Sequence, residues 1–516
     1  MRVGTFILTV VLSCLASWPG VAAERLTILH TNDVHGHLRP FSYHSISGPG
    51  TGAAFAELPV RRDIGGLARR ATLAARIRAE AAGEGATTWL VDGGDFFHYS
   101  PFSNEYHGVA AAVAMGRAGY DFGVLGNHEF EITRPQLDRL LAAIRYPVLC
   151  ANVADSATGR PLGLRHAVRR VGAARVGLFG LSPASVPRYP AARGGLVVTD
   201  PAATAAAVVA ELRGRERADV VVLLSHCGIN VDRELARRVP GLDVIVGAHS
   251  HTRLPHGEVV WWPGELKPDE VGGTVIVQTG QWGGELGRLD LLLDRGRDGR
   301  WRVVRHRARL VPVTSDLPDD PAVAAVLDSL WAPHAAKYDE VLATATADFA
   351  NRGDDLPQNA LYADLVRAEL GVELAFEGTG GVHWPLVAGP VTRGSLVDLD
   401  QDAFSVLTFR VRGAELRRLL EQVRPAPSGL RYRMFRGRLE EVSVAGAPLD
   451  DARLYSCAAS SYLADRLAGL DLLDLRDTGR GWAEVVREGL RRAGTVTPVY
   501  DARRVVVDTL PPARRD

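Results

Sequence analysis

The chain has 516 residues, of which 46% are apolar and 23% charged, ordinary values that exclude a fibrous or disordered protein and leave room for two or three domains. Lys+Arg and Asp+Glu number 60 each, so no net charge is available to grip a nucleic-acid polymer. Lys267 and Lys337 are the only lysines, and neither sits in a Gly-x-x-x-x-Gly-Lys loop, which excludes a P-loop triphosphatase and leaves Schiff-base chemistry without a favourable site.

Residues 1–23 open with Arg2, run through an apolar stretch from Phe6 to Leu15 and end in Val21-Ala22-Ala23 before Glu24. A basic start, a short apolar run and small residues at the cut predict a secretory signal peptide. The run is too short to span a bilayer, so the expectation is an exported, periplasmic or extracellular protein that starts near Glu24 and has no membrane span. Cys14 departs with the leader. The remaining Cys150, Cys227 and Cys457 are too few and too scattered for a disulfide framework, and buried thiols are expected in preference to a bridge.

Short apolar runs rich in β-branched residues follow at 26–30, 89–91, 122–125, 176–181, 220–224, 244–246 and 275–277, with helical patterns at 66–82 and 201–217 between them. Buried strands alternating with helices predict a layered α/β domain whose ligands gather at the strands' carboxyl ends. The stretch Pro312-Val313-Thr314-Ser315-Asp316-Leu317-Pro318 reads as a linker and is followed by a helical pattern at 321–336. Beyond it lie strand-like runs at 341–347, 405–411, 439–444 and 454–458, and helical ones at 359–370 and 413–423. These predict a second α/β domain, ending in a frayed tail.

All but three of the 15 histidines lie at or before His256, which places the chemistry in the first half. Five strands deliver polar ligands at the same kind of position. Run 26–30 leads into Asn32-Asp33-Val34-His35-Gly36, run 89–91 into Asp92-Gly93-Gly94-Asp95, and run 122–125 into Gly126-Asn127-His128-Glu129. Run 220–224 leads into Ser225-His226, and run 244–246 into Gly247-Ala248-His249-Ser250-His251. One such histidine is ordinarily a core residue; five clusters at strand ends do not share that explanation. Asp, Asn and imidazole without thiolate suit a pair of divalent cations such as Mn, Fe or Zn. Two such ions hold a nucleophilic water and clamp phosphoryl oxygens, which points to phosphate-ester hydrolysis.

In this order the motifs resemble those of the calcineurin-like metallophosphoesterases. His30-Thr31-Asn32-Asp33-Val34-His35-Gly36, Gly65-Gly66-Leu67-Ala68-Arg69, Gly126-Asn127-His128-Glu129-Phe130 and Gly280-Gln281-Trp282-Gly283 look like the exported 5′-nucleotidase / UDP-sugar hydrolase family. The resemblance implies a layered αββα sandwich over 24–316, a linker helix over 317–338, a smaller C-terminal α/β substrate domain over 339–511 and a tail over 512–516. It implies two divalent metal ions (Mn, Zn, Fe, Co or Mg). Asp33, His35 and Asp95 would bind one, and Asp95 would bridge to a second completed by Asn127, His226 and His249. His251 stands beside the first, and Asp92 goes to strand-end structure. His128 matches the catalytic histidine. Glu131 takes the place of the Asp that orients it in close relatives, with an extra methylene to accommodate. His37, His98 and His107 are expected in supporting or surface places.

In the C-terminal domain the resemblance implies a clamp that stacks a base between aromatics and grips phosphate with arginines. Here His383, in Gly378-Thr379-Gly380-Gly381-Val382-His383, stands where relatives carry an arginine. Gln401-Asp402-Ala403-Phe404 replaces an aromatic motif, leaving Phe404 out of register. Tyr462 stands at the second stacking position, and Gly429 lies in a segment that matches. Stacking contributes about 1–3 kcal/mol per base, so nucleotide binding is expected to be weaker than in relatives. The function expected is hydrolysis of small phosphoesters, nucleotides first. The alternatives are a non-nucleotide or sulfur-linked substrate, as in the related thiosulfohydrolases, and a non-catalytic periplasmic binding module.

Overall fold

The computed structural model describes residues 23–43, 62–193, 195–262, 272–296, 298–379, 384–397, 399 and 404–507. The leader expected at 1–23 lies outside them apart from Ala23, as do His383 and the tail.

Two sheets face each other in the N-terminal half. The first runs in the order Trp301–Pro312, Glu285–Arg295, Glu24–Thr31, Ala86–Asp92, Phe122–Gly123. Glu24–Thr31 is at its centre, parallel to Ala86–Asp92 and antiparallel to Glu285–Arg295. The second runs Glu258–Trp261, Gly273–Val277, Val244–Gly247, Val220–Ser225, Ala174–Leu181, Ala167–Val171, parallel through its middle. Their inner faces close on one apolar layer that joins Ile28 and Val91 to Val222, Val246 and Leu289.

Helices cover both outer faces, giving the four-layer order helix, sheet, sheet, helix. Leu67–Gly83 buries Leu67, Ala71, Ala74, Ile77 and Ala81, the spacing of one helical face. Pro201–Gly214 covers the second sheet; it starts on a proline, and the Asp200 side chain accepts a bond from Ala203 N. It ends three residues before the predicted 217.

The predicted helix 321–336 is broken. Pro321–Trp331 is capped by Asp320, then Ala332–His334 tightens to a 3-10 turn before Ala335–Tyr338. Pro333 has no N–H for the helical ladder, which accounts for the break. The helix packs against the N-terminal half through Val323 and Leu327. The hairpin Glu285–Arg295/Trp301–Pro312 escaped the sequence reading because Arg288, Asp290, Arg305, Arg307 and Arg309 interrupt its apolar runs.

The C-terminal half centres on a sheet ordered Ala426–Ser428, Leu374–Glu377, Leu454–Ser460, Ser405–Arg412, Leu472–Gly481. Pro357–Leu370 and Trp482–Ala493 pack on one face, and Gly413–Val423 on the other. Cys150, Cys227 and Cys457 are free thiols. Among the described residues no helix is long and apolar enough to cross a membrane.

Candidate functional site

At the carboxyl ends of the central strands the chain turns sharply, and the turns are zipped together by main-chain bonds. Asp33 N donates to Gly94 O (3.0 Å), His35 N to Asp95 O (2.9 Å) and Trp282 N to Asp33 O (2.7 Å). Asn32 extends the zipper: its Nδ2 donates to Gly280 O (2.6 Å) and its Oδ1 accepts from Thr279 N (2.8 Å). The Gly280-Gln281-Trp282-Gly283 motif is thereby tied to Asp33. Five residues here have left-handed backbones: Asp33 (φ 50), His35 (φ 47), Asp95 (φ 54), His249 (φ 71) and His251 (φ 52). Each such non-glycine conformation costs about 1 kcal/mol or more, and such strain collects where side chains must be aimed.

The turns bring all seven proposed ligands into one cluster. Asp33, His35 and His251 offer ligand atoms within 4.8 Å of one another, and so do Asp95, His226 and His249. His35 and His251 meet Nε2 to Nε2 at 3.0 Å, and His226 Nε2 lies 2.9 Å from Asp95 Oδ2. Asn127 closes the second group. Its side-chain oxygen faces His249 Nδ1 (2.8 Å) and Asp95 Oδ2 (3.2 Å), atoms that offer lone pairs.

Two solutions exist for three converging acceptors: a rotated amide, or a cation among them. The rest of the site fits the cation. Asp33 and Asp95 are fully buried, and among the described residues no Arg or Lys pairs with either. A buried carboxylate needs a countercharge. His226 Nδ1 bonds Gly93 O (2.7 Å), which turns its Nε2 inward in the manner of a metal-ligating imidazole.

Electrostatics follow the same geometry. Burial opposes ionisation of Asp95, yet His226, His128 and His35 outweigh it and hold its carboxyl well below the ordinary range. Burial likewise opposes charge on His226, but Asp95 and Asp33 raise it to about 10. Metal binding there must therefore displace protons.

Glu129, quoted in the sequence only as part of a motif, accepts from Asp95 N (3.0 Å), Phe96 N (3.1 Å) and Gly126 N (2.6 Å), holding two ligand turns in register. Burial, then the nearby Asp95, pushes its carboxyl up to about 8. Asp92 lies at the strand end, where it accepts from Thr31 Oγ1 (2.6 Å).

His128 borders the cluster, with Nε2 3.8 Å from Asp95 Oδ2 and Nδ1 3.0 Å from Glu131 Oε2. Glu131 thus reaches the ring despite its extra methylene. Burial disfavours the His128 charge, but Asp95 and Glu131 prevail and raise it to about 9. Burial also opposes Glu131, and the bonds from His128 and His98 bring it down to about 2.

The substrate-binding candidates are less closely grouped. Tyr462 is 40% exposed, meets Phe404 edge-on at 5.4 Å rather than across a slot, and lies beneath Arg466 (5.6 Å). It packs against Gly378, where a Cβ would stand 2.6 Å from Tyr462 Cε1. Gly429 has φ +84, and its Cβ would fall 2.2 Å from Glu373 O, so a glycine is required there by the backbone alone.

One contact escaped the sequence altogether. Trp384, from the C-terminal half, stacks on His37 at 4.3 Å and 7°, and His37 stacks in turn on Trp282 at 4.9 Å. Trp384 Nε1 also donates to Tyr99 O. Burial drives His37 down to about 3, so it stays a neutral ring in the stack.

A calcineurin-like phosphoesterase family matches residues 26–253, and a 5′-nucleotidase C-terminal domain matches residues 340–474. The chain is 27% identical over 504 residues to a 5′-nucleotidase of Vibrio cholerae, covering 87% of this chain and 86% of that one. It is similar to the solved 5′-nucleotidase precursor of Thermus thermophilus, with a TM-score of 0.74 and 27% identity over 94% of this chain and 100% of that one. It is also similar to the sulfate thiohydrolase SoxB of the same organism, with a TM-score of 0.73 and 25% identity over 94% and 97%.

Proposed function

Since this chain belongs to the calcineurin-like phosphoesterases that carry a 5′-nucleotidase C-terminal domain, and is a hydrolase of that class, we propose that it is an exported two-metal phosphohydrolase acting on nucleotides or related small phosphoesters. Membership of a hydrolase class tells against a non-catalytic binding module. Export rests on the composition of residues 1–23. The proposed division is a catalytic domain over 24–316, a linker helix over 317–338 and a substrate domain over 339–511.

One observation carries the reading: two buried carboxylates, Asp33 and Asp95, lack any Arg or Lys partner among the described residues and are ringed by imidazoles. Asp33, His35, Asp95 and His251 would hold one divalent ion, and Asp95, Asn127, His226 and His249 the other. Bound there, the pair supplies a nucleophilic water at neutral pH and positive charge for the phosphoryl oxygens. The protein's own groups do the rest. Glu131 Oε2 lies 3.0 Å from His128 Nδ1, and this ion pair would orient the ring. His128 Nε2 then faces the cluster, where it can stabilise the transferring group and give a proton to the departing oxygen. Tyr462, Phe404, His383 and Gly429 are the proposed substrate contacts, with stacking on Tyr462 the main one.

Asp95→Ala tests the proposal. Manganese-loaded variant protein should hydrolyse p-nitrophenyl phosphate at background rate; a normal rate would refute it. Near-equal likeness to the sulfate thiohydrolase supports a second reading, with sulfur in place of the leaving oxygen. Sulfate release from a carrier-bound thiosulfonate, with no phosphate release from nucleotides, would select it.

A further inference from the structure

His98 lies three residues beyond Asp95, and its sequence context gave no reason to set it apart from other nearby histidines. In the fold it is buried behind His128. The two imidazoles stack at 4.2 Å and 19°. His98 Nε2 is 2.9 Å from Glu131 Oε2, and His128 Nδ1 is 3.0 Å from the same oxygen. One carboxylate oxygen therefore lies within 3.0 Å of a ring nitrogen on each of two imidazoles lying face to face.

The chain is contorted to achieve this. His98 has φ 129 and Tyr99 φ 46, both rare for residues with a side chain. His98 N donates to Ser103 Oγ (2.9 Å), which bonds Ser100 Oγ (2.8 Å), and Tyr99 closes edge-on against the His98 ring at 4.1 Å. Strain of this kind persists where the surroundings over-determine a geometry that is used. A glutamate has one more rotatable bond than an aspartate, so a single contact with His128 would leave its carboxylate free to swing. The second contact, with His98, removes that freedom.

We propose that His98 is a positioning residue: it pins Glu131 so that His128 Nε2 stays aimed at the departing oxygen, and it thereby governs which leaving groups the enzyme expels. This deepens the phosphohydrolase reading above and rests on it for its catalytic consequence. An alkoxide leaves poorly without a proton, whereas p-nitrophenolate leaves without help, so the loss must depend on the leaving group.

The experiment compares wild-type, His98→Phe, which keeps the stack but removes the donor, and His98→Gln, which keeps a donor, all manganese-loaded. In His98→Phe, kcat for glycerol phosphate and a nucleoside 5′-monophosphate should fall about tenfold further than kcat for p-nitrophenyl phosphate, with KM little changed. His98→Gln should restore most of the difference, and adding His98→Phe to Glu131→Gln should cost nothing further. Equal losses on all substrates, or losses that multiply in the double variant, would overturn the proposal. Should His98→Phe not fold, His98→Asn, whose amide is too short to reach Glu131, takes its place. Proton NMR of the metal-free protein gives a readout independent of turnover. The downfield His128 Nδ1–H resonance should exchange about tenfold faster with solvent in the donor-less variant as its acceptor loosens; an unchanged rate sinks the idea. A wild-type protein without phosphoesterase activity would defeat the proposed function, while the resonance still decides the role of His98.

Discussion

Gly126 offers a sharp test of the clustered site, because the room it leaves is already taken. A Cβ placed there would lie 2.1 Å from Asp95 Oδ1 and 2.6 Å from His226 Cε1. An ordinary contact begins near 3.4 Å, so in Gly126→Ala the carboxylate would have to retreat by about 1.3 Å. Misplacement by about 1 Å at a reacting centre costs about a hundredfold in rate. Asp95 is the proposed bridge, so metal content should fall with activity. The assay is kcat on p-nitrophenyl phosphate beside metal stoichiometry by mass spectrometry and a thermal unfolding curve. Gly83→Ala is the control: it ends the helix Leu67–Gly83, and a Cβ there meets nothing within 4 Å. It should be neutral or stabilise by up to about 1 kcal/mol. If Gly126→Ala keeps both metals and a rate within about threefold of wild type, the geometry assigned to Asp95 and His226 is wrong.

Two further outcomes are expected away from the metal ligands. Burial drives the Glu377 carboxyl from an ordinary 4.5 up to about 8, despite the bond it accepts from Gly378 N. Below about pH 4.5 both folded and unfolded states hold the proton, and the stability is complete; between there and pH 8 only the unfolded state ionises and stability falls. At about 1.4 kcal/mol per unit the loss is on the order of 4–5 kcal/mol at most, and Glu377→Gln should flatten it; urea unfolding curves at pH 5 and pH 9 that differ equally in both proteins would contradict this. Trp384→Ala removes the stack on His37 and the bond to Tyr99 O, so it should cost about 2 kcal/mol and loosen the C-terminal half from the catalytic one. Small-angle scattering should show a larger radius of gyration; unchanged dimensions and melting temperature would show that the stack does not hold the halves together.

Much of the fold could be read in the chain because its signals are local. An apolar strand run, a proline at a helix start, and an aspartate before it act over a few residues, and so the layered α/β order and most element positions follow from them. The hairpin Glu285–Arg295/Trp301–Pro312 shows the limit: Arg305 and Arg307 are exposed while Arg288 is buried and paired with Glu80 and Asp290, and those places exist only once the sheet is formed. Likewise the order of Asp, Asn and His after successive strands marks a candidate metal site, since parallel strands deliver their carboxyl ends to one edge.

Local patterns along the chain are therefore enough to predict a layered fold and the kind of chemistry gathered at its strand ends. Tertiary structure alone decided the partnerships: Glu129 bridging two turns, His98 sharing Glu131 with His128, and Trp384 stacked on His37 from 347 residues away in number. A strand or cap is encoded by neighbours along the chain. A shared carboxylate or a ring stack depends on where distant backbones come to rest to within about 1 Å, and no periodicity records that.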